Sequence, residues 1–269
     1  MGSQINNFCL KEIRDGLANL NPRIGSKIVF FRIIGSTNTA AAGLAEKGEQ
    51  EGTVIIAESQ TEGRGRRGRT WASPAGKNLY LSIILRPGIP PRDASILTFM
   101  SAVACASAIR RLSSVPVSVK WPNDLMAGGR KIGGILTEMK ATSSCIDYAV
   151  IGVGINLNLD KSDMPDNIRD TATSLMLQTG LPQSRTGHAL EIIKAMDHWY
   201  TILLESGKGR IIESWQRLSS TTGRAVTVIN GETKLTGIAE GIDSEGLLIL
   251  RLGDNSIMKI SSGDVTHDL

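Results

Sequence analysis

Two apolar runs of strand length, "TVIIAES" at 53–59 and "NLYLSIIL" at 78–85, flank the stretch "QTEGRGRRGRTW", which packs four arginines and three glycines between Gln60 and Trp71. The first run reads as a buried strand, and Leu79, Leu81, Ile83 and Leu85 alternate along one face of the second. Both ends of the basic loop are therefore anchored in a folded sheet, so the loop cannot be a free tail. The charge is equally local. The chain has a formal net charge of +4, and residues 61–70 supply +3 of it. A near-neutral remainder points to a site for a small anion rather than to a nucleic-acid surface.

The rest of the chain supplies the frame. Lys27–Ile34 is a strand candidate, followed by "STNTAAAGLAEKG", a helix capped near Ser36 and stopped at Gly48. "RDASILTFMSAVACASAIRRL" is a helix of small residues suited to close packing on a sheet. Val115, Val117 and Val119 lead a strand into "KWPND", where Pro122 and Asn123-Asp124 turn the chain. "RKIGGILTEM" and "YAVIGVGINLN" form two further strands, expected to be neighbours. One helix is expected from about Gly187 to Leu218. After Thr222 come short alternating strands divided by Asn230-Gly231, Asp243–Gly246 and Gly253-Asp254, the texture of a small all-β barrel. The fold class is thus α/β of the α+β type, a central mixed sheet packed with helices. Residues 1–220 form the main domain and residues 221–269 a small C-terminal barrel.

Composition excludes some classes. The three cysteines, Cys9, Cys105 and Cys145, lack the spacing of a zinc site or a disulfide framework, which fits a reducing cytoplasm. The uncharged run Ala94–Ile109 is too short and too rich in Ser and Ala to span a bilayer, and no signal-peptide pattern opens the chain, so no membrane role is expected. His188, His198 and His267 stand outside every motif and receive no metal role.

Two phosphate motifs fit the loop only superficially. Gly63, Gly65 and Gly68 satisfy G-x-G-x-x-G, and Gly63, Gly68, Arg69 and Thr70 approach a P-loop with Arg for Lys. Each motif needs a helix opening at its last glycine, whereas Trp71, Ser73 and Pro74 follow here. Arginines spaced by glycines instead make a pliable cationic flap whose guanidinium groups fork onto carboxylate or phosphate oxygens.

Taken in order, "STN" at 36–38, "ESQTEGRGRRGRTWASPAGKNLYLSIIL", "VKWPNDL", "KIGGILTE" and "GVGINLN" closely resemble the biotin protein ligases, over roughly Lys27 to Asn158. The resemblance implies a two-step reaction. Biotin and ATP, with Mg²⁺, give biotinyl-5′-AMP and pyrophosphate, and a lysine of the biotin carboxyl carrier domain of a carboxylase is then acylated. It also implies roles for residues. Ser36, Thr37, Asn38 and Gln60 would meet the biotin ureido head, and Gly133, Gly134, Ile135 and Leu136 would form an apolar wall. Lys131 would sit at the biotin carboxylate and α-phosphate. In the flap, Gly63 and Gly65 would let the backbone fold over the ligand, while Arg64, Arg66, Arg67 and Arg69 neutralise the triphosphate and cover the adenylate. Trp71 would stack on adenine and Asn156 would line the nucleotide side. Asn123 and Asp124 would hold Mg²⁺ or orient the incoming lysine. Lys131, Arg66 and Asp124 are the catalytic candidates. Homodimerisation is a further implication. The 26 residues before Lys27 are too few for the winged-helix repressor domain of bifunctional members, so no nucleic-acid partner is expected. A lipoate ligase or octanoyltransferase is the related alternative, and a non-catalytic nucleic-acid-binding module the more distant one.

Overall fold

In a computed structural model that describes residues 8–267, seven strands form one mixed sheet. They are β1 (Ile28–Ile34), β2 (Val54–Gln60), β3 (Leu79–Leu85), β4 (Ser118–Lys120), β5 (Asp124–Ala127), β6 (Arg130–Ala141) and β7 (Ile146–Ile155). Their order is β1-β2-β3-β7-β6-β5-β4, and only β1 and β2 run parallel. A parallel pair needs a crossover, supplied by helix α2 (Thr37–Glu46), which starts at its Ser36 cap and lies across the sheet against Ile55, Ile84 and Val150. The other face is covered by α1 (Leu10–Ala18), α3 (Ser95–Ser113), α5 (Arg185–Ser206) and α6 (Gly209–Leu218), with the short α4 (Leu175–Thr179) between α3 and α5 in the chain.

Between these layers all seven residues of β3 are buried. The alternating leucine and isoleucine face meets the large helical layer, as the sequence implies. The opposite face is not polar surface but holds Ser82 beneath Thr37 and Asn38, and Ile84 beneath α2. Small residues let α3 settle between the sheet and α5, and Ala102, Ala104, Cys105, Ala106 and Ala108 are fully buried. Burial pushes the Cys105 thiol up to about 12, which keeps it inert. The stretch Pro91–Ser113 reaches membrane-span length with a mean hydropathy of 1.3, yet 67% of its most apolar window is buried in the protein, as in a core helix.

The expected single helix from Gly187 to Leu218 is two. The first ends at Ser206, where the Gly207 amide bonds the Leu203 carbonyl, and the second restarts at Gly209. The break aims Trp215 into the core beside Phe99, their rings 5.2 Å apart. A straight helix would carry that indole elsewhere.

After α6 comes a five-stranded antiparallel sheet of β8 (Ala225–Asn230), β9 (Thr233–Ile242), β10 (Leu248–Leu252), β11 (Ile257–Ile260) and β12 (Asp264–His267), in the order β11-β10-β9-β8-β12. Its inward residues Val226, Val228, Leu248 and Leu250 join the same apolar cluster as the main sheet through Trp121 and Trp215. The small sheet is therefore fixed against the large one, and the space between them can hold a site.

Candidate active site

A cavity of about 600 Å³ opens between the ends of the central strands, the arginine loop and the last strand. Its floor is built by register. On β6 and β7, Gly134 pairs with Gly154 and Leu136 with Gly152, so two adjacent rungs lack side chains on the strand β7 side. A side chain at Gly152 would strike the Asn38 amide at 2.2 Å, and one at Gly154 would strike the Trp71 indole at 2.6 Å. The strand glycines exist so that these two groups can lie directly on the backbone.

One end of the cavity is buried and neutral. Ser36, Thr37 and Asn38 are 4–5% exposed. The Ser36 side chain caps α2 by accepting from the Thr39 amide, so capping and site-building coexist in one triplet. Gln60 Oε1 accepts from the Thr37 amide at 2.8 Å and from the Thr37 hydroxyl at 3.1 Å, and Gln60 Nε2 donates to Ser73 Oγ at 3.0 Å. Below them Ser82 Oγ lies 2.8 Å from Thr37 Oγ1 and 2.6 Å from Asn38 Oδ1. With the Thr37 proton committed to Gln60, the one Ser82 proton faces two acceptors. The cluster is internally bonded, and the second lone pairs of its hydroxyl and amide oxygens remain as acceptors for a ligand N–H.

The other end is cationic. Lys131 Nζ lies 2.5 Å from Asp124 Oδ1 and 5.6 Å from the Trp71 ring centre. Lys131 is held through its backbone, which pairs with the 171–173 segment: its amide donates to Thr171 O and its carbonyl accepts from the Thr173 amide. The loop is a folded hairpin. Arg64 bridges Thr70, the Gly65 amide donates to Arg69 O at 2.7 Å, and the Trp71 amide donates to Gly63 O at 2.8 Å. Its tip turns at Arg67 and Gly68, both with positive φ. The arginines spread over several partners, with Asp264 shared by Arg67, at 3.6 Å, and Arg69. Arg64 bonds Glu138 at 2.9 Å, Arg66 bonds Asn123 Oδ1 at 3.1 Å, Arg67 bonds Asn230 Oδ1 at 2.7 Å, and Arg69 pairs with Asp264 on β12. Burial lowers the Arg66 pKa from its ordinary value, offset in part by Asp264 and Asp124.

Of the residues singled out in the sequence, the cavity brings together Ser36, Thr37, Asn38, Gln60, Arg64, Gly65, Arg66, Arg69, Trp71, Asn123, Asp124, Lys131, Gly134, Ile135, Leu136 and Asn156. Gly63, Arg67 and Gly133 fall outside its wall. Gly63 forms the neck of the hairpin, where a side chain would meet the Trp71 carbonyl at 2.3 Å. Arg67 reaches away to the second sheet. Gly133 faces the core beside Ile155 and Leu125, the opposite face from Gly134. Asn156 lines the cavity with its amide already engaged: Nδ2 donates to Thr173 O at 3.1 Å and Oδ1 accepts from Asn78 at 3.4 Å. It ties the neighbouring loop in place. The wall also contains Lys120, Gly152, Gly154, Ala172 and Asp264, which motif reading did not assign. The strand glycines were visible in "GVGIN". Asp264 had no signal, since it meets Arg69 only through a fold that brings together positions 195 apart.

Among the described residues no cluster of three or more His, Cys, Asp or Glu side chains is placed to hold a metal. Asp124, the candidate ligand, is engaged by Lys131. One carboxylate suits a Mg²⁺ ion carried on a triphosphate, which supplies most of its own oxygen ligands, better than an ion resident in the protein.

A buried neutral pocket joined through one lysine to a cationic end suits a small molecule, or a pair of them, with a neutral polar head and an anionic tail. Comparison with known proteins agrees. The Biotin/lipoate A/B protein ligase family matches residues 30–156, and the biotin protein ligase C-terminal domain matches residues 221–268. The bifunctional ligase/repressor BirA of Bacillus subtilis is 36% identical over 256 residues, covering 94% of this chain and 77% of that protein. The biotin--[acetyl-CoA-carboxylase] ligase of Paracoccus denitrificans is 33% identical over 228 residues, covering 80% and 90%. The biotin protein ligase from Aquifex aeolicus, solved in complex with biotin and ATP, superposes with a TM-score of 0.77 at 27% identity, over 90% of this chain and 98% of that one. The chain belongs to the Biotin/lipoate A/B protein ligase family.

Proposed function

We propose that this protein is a biotin protein ligase, which activates biotin with ATP and passes it to a lysine of a biotin carboxyl carrier domain. The observation that separates biotin from lipoate within the family is the neutral end of the cavity. A ureido group offers N–H donors and a carbonyl to Thr37, Asn38, Gln60 and Ser82, whereas a dithiolane ring offers this polar cluster no hydrogen-bond donor. A site built to hydrogen-bond a substrate rejects an analogue that cannot reciprocate.

The biotin chain then runs over the Gly134–Gly154 floor toward Lys131. In the first step a biotin carboxylate oxygen attacks the α-phosphorus, the bond to the bridging oxygen breaks, and pyrophosphate leaves. Lys131 lies where negative charge gathers and Arg66 follows the phosphate. In the second step the acceptor amine attacks the mixed anhydride and AMP leaves with the C–O electron pair. An unperturbed lysine has a pKa near 10.4, so it must shed a proton. Asp124, drawn away from Lys131 once that ammonium meets the phosphate, is the carboxylate at hand. Asn123 and Asp124 would hold a Mg²⁺ ion carried on the triphosphate, which would offset its negative charge.

The same reading places the division of the chain at residue 220, supported by the C-terminal family match at 221–268 and the second sheet beginning at Ala225. It places the protein in the cytoplasm, where three free thiols and ATP are at home. Nucleic acid has no part in it, because the loop arginines turn to Glu138, Asn123, Asn230 and Asp264. Pairing of two copies belongs to it as well. Two sheet edges are open, and Ile33 on β1 and Ile257 on β11 are 69% and 52% exposed. Sedimentation with and without biotinyl-AMP tests the pairing. The activity is tested by incubating the protein with ATP, Mg²⁺ and either biotin or lipoate. Biotinyl-AMP by mass spectrometry is the expected product, and lipoyl-AMP alone would move the protein to the lipoate branch.

A further inference from the structure

Among the described residues the most deeply buried charged side chain is Arg185, 2% exposed, and it stands outside the cavity wall. It is the first residue of α5, behind the Ser184 cap, at the helix end where the dipole disfavours a cation. The Phe8 ring closes over it, 5.5 Å from the guanidinium carbon. Stability alone does not require a charge there, since a buried ion pair does little better than well-packed apolar side chains of similar volume. What the guanidinium does, and an apolar side chain could not, is hold backbone. It forks onto Glu58 Oε1 and Oε2 at 2.9 and 3.0 Å, and Glu58 Oε1 in turn accepts from the Gly76 amide at 2.6 Å. Its Nε donates to the Asn78 carbonyl at 2.9 Å. The turn 76–78 is thereby gripped at both ends, just before the chain enters β3.

From that turn the contacts run back to the cavity. The Asn78 side chain donates to Asn156 Oδ1 at 3.4 Å and accepts from the Leu157 amide at 3.1 Å. Asn156 donates through its backbone to Ile132 O at 2.7 Å and through its side chain to Thr173 O at 3.1 Å. The Thr173 amide then donates to Lys131 O at 2.8 Å. Asn78, Asn156 and Thr173 thus link Arg185 to the backbone that carries Lys131.

We infer that Arg185 is a positioning residue for adenylation: with Glu58 it clamps the 76–78 turn, and through Asn78 and Asn156 that turn sets where Lys131 stands against the biotin carboxylate and the α-phosphate. This rests on the ligase reading above. Misplacing a reacting geometry by about 1 Å from afar can slow a reaction about 100-fold. A clamp of buried, forked bonds is a means of preventing that.

The test removes the clamp without orphaning a charge. Glu58→Met/Arg185→Met takes away both partners together, a change that buried pairs often tolerate. Its kcat for biotin-dependent incorporation of labelled pyrophosphate into ATP should fall about 10- to 100-fold, while KM for ATP, and biotin affinity by calorimetry, match the wild type. Amide hydrogen exchange should quicken at Lys131 and Thr173. In a Lys131→Ala background the same double change should slow pyrophosphate incorporation no further, because the group being positioned is gone. Arg185→Lys keeps the ion pair but cannot fork onto Glu58 and reach Asn78 at once. Its kcat should fall likewise, and it carries the test where the double variant does not fold. Wild-type kcat, a raised KM with kcat kept, or unchanged amide protection at Lys131 and Thr173 would each overturn the inference. So would a full further loss in the Lys131→Ala background, which would make Arg185 a support of the fold alone. A wild-type protein that makes no biotinyl-AMP would instead overturn the ligase reading, and amide exchange, which needs no activity, would still decide whether Arg185 holds Lys131.

Discussion

The two ends of the cavity are made of opposite materials. At the neutral end Ser36, Thr37 and Asn38 are almost wholly buried, and Thr37 and Asn38 are bonded to Gln60, Ser82 and β6. At the cationic end the Arg64 and Arg69 side chains are 45% and 63% exposed, and their partners are surface acids. A buried donor or acceptor left unpaired costs about 1–3 kcal/mol, so the first end keeps its shape and waits for a matching head group. An exposed ion pair is worth roughly 0–1 kcal/mol, so the second end can exchange Glu138 or Asp264 for a phosphate at little cost. Rigidity lies where the substrate is recognised, and replaceable contacts lie where the reaction must be covered and uncovered. Glu138 joins the two ends, since its Oε2 accepts from both Asn38 at 2.7 Å and Arg64 at 2.9 Å.

The largest effect is expected at the junction. Lys131→Ala removes the cation between the two ends and should slow adenylation by a factor equivalent to about 3 kcal/mol or more, with biotin binding and melting temperature nearly kept. Wild-type pyrophosphate exchange in this variant would show that the junction carries no chemistry.

Next comes the neutral end. Gln60→Ala leaves the Thr37 amide without its acceptor and Ser73 without its donor. Biotin affinity should weaken by the equivalent of about 1–3 kcal/mol, and thermal stability should fall with it. Calorimetry and melting checked together test the rigidity argument, because a change in affinity alone would mean that the network is not part of the fold.

At the cationic end Arg66→Gly should still make biotinyl-AMP but release it about tenfold faster, the equivalent of one weak charge-assisted bond of about 1.5 kcal/mol. Released adenylate should then acylate lysines on bystander proteins. Off-rates measured with purified intermediate check this, and unchanged release would leave Arg66 as a bond to Asn123 and nothing more.

The smallest effect belongs to Asp264→Asn. It frees Arg69 from the second sheet while Arg67 keeps Asn230, so amide exchange across 61–69 should quicken while stability changes by less than about 1 kcal/mol. If stability drops well beyond that, the loop is part of the core and the contrast between the ends fails.

Much of the molecule was legible in the sequence because local rules govern it. Alternation placed β1, β2, β3, β6 and β7, the Ser36 cap placed α2, and turn residues divided the last sheet. Motif spacing gathered most of the cavity wall, including Lys131 and the arginine loop, since each motif ends a strand at the same edge of one sheet. What each side chain touches was decided by tertiary structure. Sequence alone could not show that Arg67 turns outward to Asn230, that Asn156 is spent on the Thr173 carbonyl, or which of Gly133 and Gly134 faces the cavity. The break of the long helix at Gly207 was a local signal passed over, a positive-φ glycine that ends α5 as such residues do, and the Trp215 position beside Phe99 follows from it. Arg185 belongs to tertiary structure alone. It stands outside every motif, and its grip on Glu58 and Asn78 joins positions 127 and 107 residues apart in the chain. Periodicity and capping act over a few residues and survive in the sequence, whereas partnership depends on distances that only the closed core sets.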